Sequence, residues 1–205
     1  MIQIIPELVT FDEFIDWYPE NSEHRYQLHK GEIIEIPKAT GKHSTVAGFT
    51  ALKVGTEIER LNLPYFLPKE CVIKPMYEGL RYEPDIIVLN KQAIGNEARW
   101  EKSSIITMGL SVVLIVEVTS TNWEDDYARK LEQYETMGMQ EYWIIDYLGL
   151  GGKRFIGNPK QPTFSVYQLV DGEYQVKLFR EGEGIEPPTF PELKLTAQQV
   201  FAKGN

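Results

Sequence analysis

A single cysteine, Cys71, rules out an internal disulfide and any cysteine-based zinc cluster in this 205-residue chain. Long apolar runs are missing too. The longest, Val112 to Val116, is cut by Glu117 and falls far short of the ~20 residues that span a bilayer. The opening MIQIIPELVT has no basic segment ahead of its few apolar residues, so no secretory signal is expected. These shortages predict a cytoplasmic protein with no membrane contact. Positive charge is also scarce. Lys and Arg number 21 against 30 Asp and Glu, giving a net charge of −9, and such a chain repels nucleic-acid phosphate unless its basic residues cluster.

What remains is ordinary globular usage, with 42% hydrophobic and 25% charged residues in a length suited to one core. No repeat or low-complexity linker divides it, so one domain is expected over 1–205, with its core at about 24–147. Thr10 and Glu13 read as a capping box opening a short helix that Pro19 ends. Arg25 to Leu28 and Glu32 to Ile36 flank His29-Lys30-Gly31 as a hairpin. Between Pro37 and Pro64, Val46, Phe49, Leu52, Ile58 and Leu61 fall on one helix face. Strands are expected at Tyr65 to Leu67, Cys71 to Met76 and Asp85 to Leu89, and Val112 to Val118 reads as a central strand covered on both faces. A helix from about Asp125 to Met137 ends at Gly138, and Tyr142 to Tyr147 is another buried strand. A hairpin of Phe164 to Val170 and Tyr174 to Phe179, turned at Asp171-Gly172, precedes a last helix near Thr196 to Phe201. The fold class is therefore α/β, a mixed sheet flanked by helices, with an extra hairpin at each end of the chain.

Glu117 is the most informative residue. Alternation puts Val112, Leu114, Val116 and Val118 on one face of the strand and Val113, Ile115 and Glu117 on the other. A carboxylate there is costly unless it is paired, metal-bound, or at the point where the strand meets solvent. Asp85, after Pro84, opens a strand that could bring a second carboxylate to the same sheet end; alone it would be a turn residue. Two converging carboxylates need a cation, and hard oxygen donors favour Mg²⁺ or Mn²⁺. Lys130 shares a helical stripe with Asp126, Gln133 and Met137, beside the buried face of Tyr127, Leu131 and Tyr134. It could direct its ammonium to the sheet end, or simply form an exposed i,i+4 pair with Asp126 worth ~0.3–0.5 kcal/mol.

Five segments carry a resemblance: YQLHKGE (Tyr26 to Glu32), YEPD (Tyr82 to Asp85), EVTS (Glu117 to Ser120), DYARKLEQY (Asp126 to Tyr134) and EYWIID (Glu141 to Asp146). In this order they resemble the Uma-two family of restriction-endonuclease-like proteins, within the PD-(D/E)XK nuclease superfamily. The likeness runs from about Thr10 to Phe201. It implies a restriction-endonuclease-like fold and a metal-dependent endonuclease acting on DNA. Asp85 and Glu117 would be metal ligands, the Val118 carbonyl a third, and Lys130 the catalytic lysine. Thr119 stands where the superfamily's ExK lysine would be, the departure that moves the assignment to Lys130 on the helix. Gln27 replaces a more usual Glu, so no ligand is expected there.

Other residues have ordinary readings. Glu32 reads as a solvated strand start, although it matches a family motif. His43 could accept a proton or contact phosphate, with a surface position near the helix cap as its ordinary role. The run Gly149 to Gly152 reads as a flexible loop opening no helix, Trp123 and Trp143 as core, and Cys71 as packing. A non-catalytic DNA- or protein-binding module is a competing reading, favoured by Thr119 and the acidic charge. A small-nucleotide phosphoesterase is another, and Lys69, Lys74, Arg81, Lys91, Arg99 and Lys102 around the acidic pair would favour DNA instead. A homodimer is expected because a double-strand cut needs two sites and because aromatic residues, at 12%, suit an interface.

Overall fold

Alternating β-branched runs and one long amphipathic helix build a layered structure, a computed structural model that describes residues 8–19 and 24–205. In chain order the elements are α1 (Phe11–Trp17), β1 (Arg25–His29), β2 (Glu32–Ile36), α2 (Gly41–Arg60), β3 (Tyr65–Phe66), β4 (Val72–Ile73) and β5 (Ile86–Asn90). There follow α3 (Trp100–Ser103), β6 (Ile105–Ile106), β7 (Val112–Val118), a π-helical segment Asp125–Lys130 that runs into α4 (Leu131–Thr136), and β8 (Glu141–Asp146). The chain closes with α5 (Lys153–Ile156), β9 (Thr163–Val170), β10 (Glu173–Phe179) and α6 (Ala197–Phe201).

Six strands form the main sheet in the order β10-β9-β8-β7-β5-β3. The pair β7 and β8 is parallel, joined by the helical crossover through Asp125 to Thr136; the other pairs are antiparallel. Val46, Val54 and Ile58 of α2, with Val200 and Phe201 of α6, cover one face through Ile86, Val88, Leu114, Val116 and Val118. The other face packs Ile87, Ile115, Tyr142 and Ile144 under Tyr127 and Tyr134 of the crossover. The sheet is thus buried on both sides, and the hydrophobic run of β7 follows from that.

The caps match the sequence signals. Thr10 and Glu13 form the capping box of α1, and Thr196 and Gln199 that of α6. The β1–β2 turn holds Lys30 at φ 51° and Gly31 at φ 78°, the two left-handed residues of a tight hairpin.

Several expectations need correction. Val112 lies with the Ile115 face and Val113 with the Leu114 face, because the register shifts where Val88 faces Leu114 but Leu89 faces Val112. That bulge inserts one residue and swaps the alternation below it. The strand expected from Cys71 to Met76 shrinks to Val72–Ile73, paired in parallel with β6. The C-terminal hairpin is no appendage, since β9 pairs directly with β8 and extends the main sheet. The run Gly149 to Gly152 is tied down: Asp146 accepts from the backbone N–H of Leu150 at 2.9 Å and of Gly151 at 2.7 Å, and Gly152 caps α5. Among the described residues, no helix is long and apolar enough to cross a membrane.

Candidate active site

Antiparallel pairing between β5 and β7 sets Ile86 opposite Val116, so Asp85, just ahead of β5, and Glu117, next after Val116, lie at the same end of the strand pair. Asp85 uses Oδ2 to accept the Val118 backbone N–H at 2.8 Å. The same oxygen lies 3.2 Å from His43 Nε2, and that nitrogen is 2.9 Å from the Val118 carbonyl oxygen. His43 rises from the first turn of α2, where the Thr40 side chain accepts its backbone N–H. Its side chain is 13% exposed, so the surface role expected for it is corrected: it reaches into the sheet end. The Asp85 side chain, 25% exposed, forms the open edge of the cluster.

Glu117 is enclosed. Its Oε2 lies 3.0 Å from Lys130 Nζ, and its Oε1 accepts the Tyr134 hydroxyl at 3.1 Å. Lys130 also meets Asp126 Oδ1 at 2.9 Å. The i,i+4 pair with Asp126 therefore exists, but it is buried rather than solvated, with side chains 12% and 6% exposed. Both residues sit on the π-helical segment, a geometry common at functional sites, and the Tyr142 hydroxyl donates to the Asp126 carbonyl at 3.0 Å.

Burial pushes the Glu117 carboxyl up to about 8; Lys130 opposes the shift, and repulsion from Asp126 and Asp85 adds to it. Burial also works against the Lys130 charge, but Asp126 and Glu117 outweigh it and raise the lysine above its usual value. At His43, burial is likewise outweighed, by the Asp85 contact, and the imidazole is raised. Lys130 thus stands between two buried carboxyls, Glu117 and Asp126, and the raised His43 imidazole stands on the third, Asp85.

The hard oxygen donors of Asp85, Glu117 and the Val118 carbonyl suit a small divalent cation, which often takes one or two carboxylates and completes its shell with water. Among the described residues, no three His, Cys, Asp or Glu side chains converge to hold a metal by themselves. Thr119, on the Glu117 side of the strand by alternation, has a buried hydroxyl without a partner, a further polar atom at this end of β7.

The remaining candidates separate. Glu32 is exposed. Lys69 lines a cleft of about 250 Å³ together with Glu83, Pro84 and Asp85. Lys74 and Arg99 pair with Asp12, and Arg81 is buried beside Glu83 over the rings of Phe14 and Tyr18. Of these four, only Lys69 borders the cleft next to Asp85. Sequence reasoning passed over Asp126 and Tyr134 as site groups. The available signals were the Asp126–Lys130 stripe and the need of any buried tyrosine hydroxyl for a partner.

A protein-family model described as "Putative restriction endonuclease" (Uma2) matches residues 11–198. No curated protein matches. Among solved structures, the chain resembles "a putative nuclease belonging to DUF820 from Anabaena variabilis ATCC 29413" with a TM-score of 0.69 and 22% identity, over 96% of this chain and 99% of that one. That likeness shows the fold, a nuclease-like mixed sheet flanked by helices.

Proposed function

Starting from a chain that belongs to the Uma2 family, we propose a metal-dependent endonuclease that hydrolyses DNA phosphodiester bonds, with Asp85, Glu117 and Lys130 as its catalytic residues. The observation that supports this reading is the meeting of Asp85 and Glu117 at one end of the β5–β7 pair, where Asp85 accepts the Val118 N–H at 2.8 Å and the Lys130 ammonium lies 3.0 Å from Glu117. Asp85, Glu117 and the Val118 carbonyl would hold Mg²⁺ or Mn²⁺. Such an ion, when bound, lowers the pKa of a water and neutralises phosphate charge. The protein's own groups do the rest. Tyr134 and Lys130 fix the Glu117 carboxylate by one oxygen each, so the ligand is set before substrate arrives. Lys130 has a third N–H beyond its two carboxylate contacts, which can meet a phosphoryl oxygen as charge builds there. His43 Nε2 holds Asp85 and the Val118 carbonyl in one place, orienting both donors.

The test is supercoiled plasmid with the purified chain and Mn²⁺ or Mg²⁺. Nicked or linear product is expected with metal and none with EDTA. The small-nucleotide reading is favoured by the capture of Lys74, Arg81 and Arg99 by carboxylates, which removes three of the basic residues expected to draw a polymer to the acidic pair. Turnover of a short phosphodiester with no plasmid cleavage would select it. Turnover of neither would select the non-catalytic module.

A double-strand cut needs two such sites, and we propose a homodimer as the acting form. Sequence aromaticity no longer supports this, since Phe164, Tyr167, Phe179 and Phe201 are buried within one chain. Sedimentation at micromolar concentration is expected to show twice 23.6 kDa; a species of 23.6 kDa alone would refute it.

A further inference from the structure

Lys130 stands between two buried carboxylates. Asp126 Oδ1 lies at 2.9 Å and Glu117 Oε2 at 3.0 Å, with carboxylate side chains 6% and 4% exposed. The Asp126 backbone is itself fixed, because the buried Tyr142 hydroxyl donates to its carbonyl. The other groups facing this cluster are the Tyr134 hydroxyl on the second Glu117 oxygen and His43 on Asp85. An ammonium placed on Glu117 alone would cancel the charge of one metal ligand and compete with a cation for it. Sharing that ammonium with Asp126 lessens the cancellation, and two buried carboxyls then share one lysine.

We propose that Asp126 is a positioning residue which, by drawing on the Lys130 ammonium, keeps the Asp85–Glu117 pair receptive to a divalent cation. This rests on the metal-dependent reading above and adds a residue that neither the family match nor the fold match assigns. Asp126 does not touch the ion. It acts through Lys130, and that dependence separates it from an ion pair that merely stabilises the fold.

The experiment is calorimetric titration of Mn²⁺ into the full chain, without substrate, for the parent, Asp126→Asn, Asp126→Glu, Lys130→Met and the Asp126→Asn/Lys130→Met double variant. Circular dichroism checks that each one folds. Asp126→Asn is expected to weaken Mn²⁺ binding roughly 10–100-fold, the usual effect of losing a partner behind a ligand. Asp126→Glu, which keeps the charge, should retain most of the affinity. Lys130→Met should bind Mn²⁺ more tightly than the parent, and on that background Asp126→Asn should cost less than about threefold. Equal binding by folded Asp126→Asn and parent overturns the proposal, as does an equal loss on both backgrounds. If Asp126→Asn does not fold, Lys130→Met decides alone: unchanged or weaker Mn²⁺ binding overturns it. A parent that takes up no Mn²⁺ overturns the metal-dependent reading as well, whereas a parent that binds Mn²⁺ beside an insensitive Asp126 overturns only this one.

Discussion

Glu117→Gln is expected to reduce plasmid cleavage about 10³-fold or more while leaving the chain folded. Losing several kcal/mol of charge stabilisation at the reacting phosphate corresponds to a factor of that size. The amide keeps the side-chain volume and can still accept from the Tyr134 hydroxyl, so the packing under Tyr127 and Tyr134 should persist. Lys130 keeps Asp126 as its counter-charge. The variant should also change how stability depends on pH. Burial raises the Glu117 carboxyl from 4.5 to about 8, so between those values the folded chain holds a proton that the unfolded chain has released. Stability from this group is therefore complete below about 4.5 and is lost as pH rises through 8, a change on the order of a few kcal/mol. Chemical denaturation without added metal, compared at pH 5 and pH 8.5, should show a steeper decline in the parent than in Glu117→Gln. Matching declines would remove the proton-holding Glu117 carboxyl from the account of the site, and full cleavage by the variant would remove Glu117 from the mechanism.

Most of this fold was legible because its signals were local. Thr10 with Glu13, the Lys30-Gly31 turn and the Asp171-Gly172 turn each specify geometry within a few residues, and all three appear in the structure. The apolar run of β7 and its single carboxylate, Glu117, were equally visible. What escaped depends on partners distant in sequence. The bulge that swaps Val112 and Val113 arises from register against β5, which alternation within β7 does not encode. His43 looked like a cap-proximal surface residue because its neighbours in sequence are polar. Its contacts, Asp85 and the Val118 carbonyl, come from strand ends that only the assembled sheet brings to it. Asp126 and Lys130 illustrate the middle case: their spacing announced an ion pair, but only packing of the crossover helix against the sheet made that pair buried. Sequence spacing gives contact; tertiary packing gives the dielectric that decides what the contact is worth.

Lys130→Met should abolish cleavage and destabilise the chain, and Mn²⁺ should restore the second property without the first. The substitution keeps much of the apolar stem but removes the only cation within ion-pair distance of Glu117 and Asp126 among the described residues. Breaking a buried pair by deleting one partner costs roughly 3–5 kcal/mol, because the remaining charge stays buried without compensation. Here two carboxylates are stranded, so the loss should be largest at alkaline pH and should shrink as pH falls and both carboxyls take up protons. A divalent cation offers replacement charge at Glu117. Any ligand that binds only the folded state stabilises it by RT ln(1 + [L]/Kd), about 2.7 kcal/mol at a hundredfold excess over Kd. The melting temperature of Lys130→Met should therefore rise more on adding Mn²⁺ than that of the parent. Cleavage should stay absent, since the ion replaces the lysine's charge beside Glu117 but not the N–H that would meet the phosphoryl oxygen. A variant that cleaves plasmid normally would return Lys130 to a purely structural ion pair. Equal Mn²⁺ shifts in melting temperature for variant and parent would mean that the ammonium and the cation do not compete for the same carboxylate.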